Sequence, residues 1–537
     1  MKNVFEILIL SFFIFFSGYF PARFLTQNLP FEKEEKFILN FAFSFFLFYI
    51  VGFLSYVFNS NFAIFNGIFL LIFLFFSFFY ILKNGFDNQE IKFLKNFFII
   101  FLVFILYQTL IPLYFGGLFY WDWFEHFLRS IFFLDRLPKD IVFEGYIIPS
   151  RPPFFNIVCF FYLSITGGEF YKYQIVSTFL NSMLILSVYL FCKEYLKIEN
   201  KYLFLIVCVV MFLNPAILRQ ITYTWTKAFC AFYVILGLYF YLKFLKNQNS
   251  LHLFISSFLF GIGFIVHFSA GCYIVPVFLH LAFRTILNKN LIKKTGISYL
   301  IFLFVIFTYF SWSIKNYGVY KSFFSTNIYQ QQKNISLIDR IEKDSFNFIK
   351  TLHPFPLKYY KYFFNNSPLF YKFFNYLHPA YVCTLPGSLT FSLTFFLLIL
   401  FLKNIKQINL KTLSSHSFLI FFFFLSYLLD IVVMPLKELS GLAHTGLLPL
   451  TCLFICFGIK YILSMPEKNF FIFSSVFLIE TLFILTVFTI AFNIYSDPQR
   501  IISLGMSERI DSSLISNFLL KYYNHLVFLH DKISIFK

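Results

Sequence analysis

A succession of long apolar runs, separated by short polar connectors, constrains this chain more than any other feature. A run of about 17–24 apolar residues is long enough to cross a bilayer as one helix. The chain carries about fourteen such runs. They lie at 4–20, 37–57, 62–83, 96–113, 174–193, 202–217, 226–242, 251–268, 271–284, 297–314, 385–402, 417–435, 443–459 and 470–493. Because backbone polar groups must pair internally in lipid, we expect an all-α, polytopic transmembrane protein.

The composition supports a membrane protein. Charged residues make up 13% of the 537 positions and hydrophobic residues 59%, whereas soluble proteins carry roughly 25% charge. The formal charge of +18 does not indicate nucleic acid as a partner, because many Lys and Arg residues lie in short connectors. No phosphate-binding motif of the type G-x-x-x-x-G-K-[ST] is present, so ATP-driven transport is not expected. The Cys residues lie mostly inside apolar runs and are interpreted as buried structural thiols.

The distribution of cations predicts the orientation of the chain. Cations concentrate in the connectors 21–36, 83–95, 193–201, 243–250, 284–296, 403–416 and 460–469. The opposite short connectors hold only Arg219, Lys227 and Lys437. Because cytoplasmic loops carry the excess of Lys and Arg, the first set is assigned to the cytoplasm. This register requires that the Pro-headed run 153–166 lies at the membrane surface without crossing, and it places both termini outside.

These assignments divide the chain into six parts. The predicted parts are the N-terminal transmembrane helices (1–113), a first external loop with an acidic motif and a Pro-Pro juxtamembrane helix (114–173), a transmembrane core (174–314), a large external loop (315–384), the C-terminal transmembrane helices (385–493) and an external tail (494–537). The first run has no small-residue cleavage site, so it is interpreted as a retained helix. Leu514, Phe518 and Tyr522 have helical spacing, which predicts an amphipathic surface helix in the tail.

A polar cluster interrupts the apolar pattern between residues 120 and 129. Asp122, Glu125, His126 and Arg129 are spaced i, i+3, i+4 and i+7, so on a helix they share one face. A carboxylate pair, an imidazole and a guanidinium on one face suit acid–base chemistry or binding of an anion. The alternative is an amphipathic juxtamembrane helix in which Glu125 and Arg129 form a solvated salt bridge. The position of Asp122 between two Trp residues favours a site at the membrane boundary.

Three cations on the predicted external side are candidate anion ligands. Arg151 precedes Pro152-Pro153, which can begin a helix, and a helix N-terminus favours an anion. Arg219 and Lys227 flank the Thr222–Thr226 turn and oppose the positive-inside trend. A bound phosphate would explain these positions, and snorkelling or interfacial anchoring is the simpler alternative.

Two His residues stand at the ends of predicted spans on the same side. His267 closes one span, and His444 opens another just after Lys437. A lone His at a helix end is usually a capping or interfacial residue. Two such residues together with Lys437 raise the alternative of a shared site.

These motifs resemble the GT-C superfamily of integral-membrane glycosyltransferases, in the group with protein O-mannosyltransferases and lipid A aminoarabinose transferases. Tyr120-Trp121-Asp122 with Glu125 is similar to the acidic motif of the first external loop, and 151–156 is similar to the Pro-Pro helix. Residues 212–227 occupy the place of the second motif. The chain departs from the pattern in its Asp-x-x-Glu spacing, in the lack of an acid in the second turn, and in three extra N-terminal spans.

The resemblance implies an inverting transfer of a sugar from a polyprenyl-phosphate donor to a hydroxyl of a lipid, glycan or protein acceptor. It implies that a carboxylate acts as base, with Asp122 favoured over Glu125. The expected substrate and phosphate ligands are His126, Arg129, Arg151, Arg219, Lys227, His267, Lys437 and His444. The expected location is the inner membrane, with the active site on its external face. Membrane lipids are expected partners and nucleic acid is not; no cofactor is certain, and a divalent cation is left open.

Two alternatives from other classes remain. A secondary transporter or lipid flippase should carry charges near the bilayer midplane on broken helices, often in two matching halves. The charges of this chain concentrate at one face and no matching halves are evident, which favours the enzyme. A polysaccharide polymerase or ligase would share the external loops and the lipid-linked substrate.

Overall fold

The computed structural model describes residues 2–109, 121–143, 146–326, 335–352, 377, 380–381, 384–404, 415–433 and 446–495. Apart from one isolated bridge between Phe143 and Tyr146, the regular structure of these residues is helical. This confirms the all-α prediction. Residues 496–537 of the predicted external tail, Lys437 and His444 lie outside the described residues.

The helices are numbered here in chain order. They are α1 Lys2–Tyr19, α2 Arg23–Thr26, α3 Lys33–Val57, α4 Phe62–Asn84, α5 Asn88–Thr109, α6 Trp121–Leu134, α7 Phe154–Thr166, α8 Phe170–Leu190, α9 Leu203–Leu213, α10 Pro215–Thr222, α11 Lys227–Asn247, α12 Ser250–Val266, α13 Gly271–Leu287, α14 Ile292–Phe324, α15 Leu337–Leu352, α16 Leu385–Ser388, α17 Phe391–Asn404, α18 Ser415–Val433, α19 Leu448–Leu463 and α20 Glu467–Tyr495. Short 3₁₀ turns lie at Ile148–Ser150, Phe268–Ala270 and Lys289–Leu291, and a π-helical turn at Phe191–Tyr195 follows α8.

Eight segments of the described chain are long and apolar enough to cross a membrane. They are Val4–Thr26, Lys33–Val57, Phe62–Lys83, Phe170–Tyr195, Lys227–Asn247, Phe268–Leu287, Lys289–Phe324 and Glu467–Thr489. A bent pair, α9 with α10, could add a ninth, and four shorter apolar helices are also present. The polytopic prediction is therefore confirmed, while the predicted total of about fourteen spans is not.

The centre of the bundle is formed by α8 and α11. The apolar window of α8 is 100% buried and that of α11 is 89% buried, whereas the window of α4 is only 17% buried. A helix that is apolar all round is stable when protein surrounds it. Close packing of α11 on α12 depends on Gly237, where a Cβ would lie 3.0 Å from the Phe260 ring. Small residues of this kind allow helices in membranes to approach closely.

The Pro-headed helix α7 lies inside the protein. Residues 154–163 are all buried, and α7 packs against α3, α4, α6 and α8. These contacts hold the N-terminus of α7, and therefore Arg151, beside α6. They do not fix the position of α7 relative to the two membrane faces, so the predicted non-crossing of 153–166 stays a prediction. Cysteine labelling at Lys139 and Lys172 from one side of the membrane tests it.

The predicted span 202–217 is divided into two helices, α9 and α10. The chain bends by 87° between α9 and α10. Asn214 ends α9, and its Oδ1 accepts a hydrogen bond from the N–H of Ile217 at 3.0 Å, which caps α10. Pro215 is tolerated in the first turn, where its missing N–H is not needed. As a result, α10 departs from the direction of α9, and it carries Arg219 toward the turn before α11.

Candidate functional site

Helix α6 places a charged cluster in the protein interior. Glu125, His126 and Arg129 are 0%, 2% and 1% exposed. The spacing predicted that they share a face, and the structure brings them together. The alternative of a solvated Glu125–Arg129 salt bridge is wrong, because this i,i+4 pair is buried. Asp122 lies in the first turn of α6, and its side chain lies outside the described atoms.

The Glu125 carboxylate holds two guanidinium groups. Arg129 Nε lies 2.6 Å from its Oε1, and Arg151 Nη2 lies 2.9 Å from its Oε2. An isolated buried carboxylate would be very costly, so a paired arrangement is required at this position. Among the described side chains, Glu125 therefore joins α6 to the segment that precedes α7.

The two arginines have different surroundings. Arg129 also donates to Ile148 O at 3.0 Å, to Ile147 O at 3.4 Å and to Ser150 Oγ at 3.1 Å. It thereby fixes the 147–150 segment and is itself enclosed. The side chain of Arg151 keeps 16% of its surface exposed. Arg151 is thus the guanidinium of this cluster that solvent, or a ligand, can reach.

His126 lies between an amide and a guanidinium. Its Nδ1 is 3.3 Å from Asn156 Oδ1, and its Nε2 is 3.3 Å from Arg151 Nη1. Since a guanidinium can only donate, Nε2 must accept, and Nδ1–H then donates to the amide oxygen. Burial, and then the charges of Arg151, Arg129 and His267, lower the pKa of His126 well below its ordinary value. His126 is therefore neutral at pH 7 and orients Arg151.

A second group of polar contacts fixes the turn between α10 and α11. Asn181 Nδ2 donates to Tyr223 O at 3.2 Å and to Trp225 O at 2.9 Å. The same side chain accepts from the N–H of Phe229 at 3.2 Å through its Oδ1. Gln108 Nε2 donates to Thr222 O at 2.7 Å. The turn predicted at Thr222–Thr226 is present, and its carbonyl groups are held from α5 and α8.

Arg219 and Lys227 share one aromatic ring. The guanidinium carbon of Arg219 lies 5.8 Å from the Trp225 ring centroid, and Lys227 Nζ lies 4.6 Å from it. Arg219 also lies over Tyr223 at 5.5 Å. Such cation–π contacts stabilise desolvated cations. The structure thus brings the two predicted anion ligands together at one turn.

His267 adds an imidazole near the α6 cluster. Its Nδ1 lies 2.8 Å from Ser269 Oγ and accepts from the Ser269 N–H at 3.1 Å, so it caps the turn that follows α12. The electrostatic influence of His267 on His126 places the two rings in one neighbourhood. His267 therefore has the predicted capping role, and it also lies close to the charged cluster.

Comparison with known proteins gives one match. Residues 150–313 match the family model of the dolichyl-phosphate-mannose-protein mannosyltransferases. This segment is a GT-C-type glycosyltransferase domain. It begins at Ser150, directly before Arg151, and includes α7, the α10–α11 turn and His267. No curated protein and no solved structure matches the chain.

A buried acid that the sequence analysis missed lies outside the matched segment and contacts it. Asp430 on α18 is 1% exposed, and the Tyr273 hydroxyl lies 3.0 Å from its Oδ2. Asp430 also interacts electrostatically with Lys227 and with the Cys272 thiol. Its position inside the apolar run 417–435 was the available signal, because an ionisable residue within a predicted span indicates a functional site.

The described residues hold no group of three or more His, Cys, Asp or Glu side chains that could bind a metal ion. The candidate site consists of carboxylates, imidazoles and cations. Arg151, Arg219 and Lys227 could hold an anionic group, because charge-assisted hydrogen bonds to phosphate are among the strongest in proteins.

Proposed function

We propose that the protein transfers a sugar from a polyprenyl-phosphate donor to an acceptor hydroxyl on the external face of the membrane. The observation that carries this proposal is the Glu125 cluster, which precedes the matched segment in the chain and contacts its first residues, Ser150 and Arg151. A buried carboxylate there holds Arg151 in a fixed and partly exposed position. A preorganised cation of this kind suits a phosphate that gains negative charge as the glycosidic bond breaks.

The proposed base is Asp122. Both oxygens of Glu125 face a guanidinium, so Glu125 acts as a positioning residue for Arg129 and Arg151. Asp122 lies one helical turn earlier on α6. In the proposed step, the Asp122 carboxylate takes the proton of the acceptor hydroxyl while the acceptor oxygen bonds to the anomeric carbon. The bond from that carbon to the phosphate oxygen breaks, and polyprenyl phosphate leaves with the electron pair.

The proposed phosphate ligands are Arg151, Arg219 and Lys227. The last two pack against the Trp225 ring, and the turn that carries them is fixed by Asn181. A fixed turn loses little entropy when a ligand binds, which favours affinity. Asp430 interacts with Lys227 and is proposed to hold that ammonium group in place.

A binding experiment tests the donor. Purified full-length protein in lipid nanodiscs is titrated with a polyprenyl monophosphate probe. Arg151→Ala and Lys227→Ala should each weaken binding by about tenfold or more, which is the loss of one charge-assisted contact. Lys246→Ala is the matched control, since Lys246 is exposed near the opposite end of α11 from Lys227. Equal affinity in all of these variants would remove the phosphate site from the proposal.

One observation favours a transporter as the second candidate. The bent pair α9 and α10 is a broken helix, and transporters use broken helices to bind substrate. Incubation with radiolabelled polyprenyl-phosphate sugars and a panel of hydroxyl acceptors separates the two functions. An enzyme releases polyprenyl phosphate and labels an acceptor, whereas a transporter moves the labelled lipid between leaflets unchanged.

A further inference from the structure

Helix α15, Leu337–Leu352, has its apolar side exposed. Leu337 is 72% exposed, Ile338 is 77%, Ile341 is 58% and Ile349 is 64%. At 100° per residue, these side chains, together with Phe348 and Leu352, fall within an arc of about 120° on one side of the helix. Helices on the surface of soluble proteins turn such an arc toward the core.

The polar side of α15 faces the protein. Lys343, Asn347, Lys350 and Thr351 are 4%, 0%, 8% and 0% exposed. Lys343 Nζ donates to Val432 O at 3.3 Å. The Tyr427 hydroxyl donates to Phe348 O at 3.1 Å. These contacts seat the helix against the C-terminal half of α18.

The surface next to the apolar side of α15 belongs to a shorter apolar helix, α18. The neighbouring helix α18 exposes Ile420, Phe421, Phe424 and Val432, at 53%, 41%, 62% and 47%. Phe348, which belongs to the apolar arc of α15, packs on the Tyr427 ring of α18 with 5.4 Å between ring centroids, so the two exposed apolar surfaces adjoin at this contact. An apolar arc of this size is directed away from the protein and adjoins the exposed apolar side chains of α18. Such a surface is stable when lipid covers it.

We propose that α15 is an interfacial helix that lies in the plane of the bilayer, with Leu337, Ile338, Ile341 and Ile349 inserted at the boundary of headgroups and acyl chains. Lipid covers the exposed apolar side of this helix. Part of the segment predicted as a large external loop, 315–384, is then bound to the membrane. This proposal concerns the position of α15 and does not depend on sugar transfer.

Depth-dependent fluorescence quenching tests the proposal on the full chain in lipid vesicles. An environment-sensitive fluorophore is attached to Ile341→Cys, to Ile349→Cys and to the control Asp339→Cys. Asp339 is exposed and lies on the opposite side of the helix from the centre of the apolar arc. Cys383 is replaced by Ser in all three proteins, and labelling of that parent protein measures the contribution of the buried native thiols.

Probes at Ile341 and Ile349 should emit at shorter wavelength than the probe at Asp339. They should lose intensity with nitroxide lipids and resist aqueous iodide, and the Asp339 probe should show the reverse. Equal iodide quenching at the three positions would overturn the proposal. Shielding from both quenchers, with intermolecular cross-linking through Ile341→Cys, would also overturn it and assign the face to a second copy. If either variant fails to fold, Ile338→Cys takes its place.

Discussion

Two buried clusters in this protein are both built from glutamate and arginine side chains. They differ in the number of arginines per carboxylate and in the exposure of those arginines. In the first, Arg23 donates from Nε to Glu90 Oε1 and from Nη2 to Glu90 Oε2, each at 2.8 Å. The side chains of Arg23 and Glu90 are 3% and 2% exposed. In the second, Glu125 holds both Arg129 and Arg151, and the side chain of Arg151 is 16% exposed. Burial of an ion pair therefore does not by itself indicate a functional site.

The Arg23–Glu90 cluster is closed by aromatic groups. Tyr19 OH donates to Glu90 Oε1 at 2.6 Å, and the Arg23 guanidinium lies over the Phe86 ring at 4.8 Å. It ties α1 and the 20–26 segment to α5 and is interpreted as structural. The Glu125 cluster holds one guanidinium within reach of solvent beside a neutral imidazole, which is an arrangement suited to a ligand.

The largest expected effect is on catalysis, at Asp122. Asp122→Asn keeps the size of the side chain and removes its basicity, so transfer should fall by roughly 10²–10⁴-fold, the usual contribution of a general base. The thermal midpoint of unfolding should stay close to that of the unmodified protein. The rate of sugar transfer by purified protein measures the effect.

Glu125→Gln is the matched comparison for this prediction. It should reduce transfer less than Asp122→Asn and lower the thermal midpoint more, since it leaves two buried guanidiniums without their carboxylate. Full transfer by Asp122→Asn together with loss of transfer by Glu125→Gln would move the base to Glu125. No effect from either change would favour the transporter over the enzyme.

The next effect should be on stability, at the closed cluster. Arg23→Ala leaves Glu90 as an uncompensated buried charge, which destabilises proteins by about 3–5 kcal/mol. Transfer per folded molecule should be unchanged, because this pair joins the 20–26 segment to α5 and takes no part in the proposed transfer step. Denaturant unfolding of the purified protein and transfer normalised to the folded fraction check both parts. A loss of turnover with unchanged stability would contradict the structural role of Arg23.

Arg151→Lys should have a smaller effect on the open cluster. Lysine retains the charge but lacks the planar fork that contacts Glu125 and His126 together. Transfer efficiency should fall by roughly tenfold, mainly through a higher KM for the donor, as expected when a ligand-binding contact weakens. Steady-state kinetics at varied donor concentration separate KM from kcat. An unchanged KM would remove Arg151 from the donor site.

The sequence predicted more of the fold than of the site, for a physical reason. Apolar run length predicts helices because a bilayer accepts few other structures. The spacing of Glu125, His126 and Arg129 predicted one face of α6. The same spacing could not show that this face is buried, because burial depends on the distant segment 147–156 folding over it.

Other parts of the site depend on contacts that are far apart along the chain. Asn181 donates a hydrogen bond to the Trp225 carbonyl group. Asp430 accepts a hydrogen bond from the hydroxyl group of Tyr273, which is 157 positions away along the chain. Local patterns contain no signal for such pairs. The 87° bend at Asn214–Pro215 was signalled by the proline, but the apolar composition on both sides suggested a continuous span.

The smallest expected effect is a pH dependence of stability that arises from the imidazole of the open cluster. His126 is buried among Arg151, Arg129 and His267, which together with desolvation lower its pKa in the folded protein. The unfolded chain therefore binds a proton near pH 6.5 that the folded protein does not bind until lower pH. The contribution of His126 to the free energy of unfolding is fully present above that pH and should be lost as pH decreases. The loss is up to about 1.4 kcal/mol per pH unit between the pKa of His126 in the unfolded chain and its lower pKa in the folded protein. His126→Gln removes the titrating group, so its thermal midpoint should decrease less than that of the unmodified protein between pH 7.5 and pH 5. The other histidines are common to both proteins and cancel in the comparison, so equal losses in the two would show that His126 does not carry the effect.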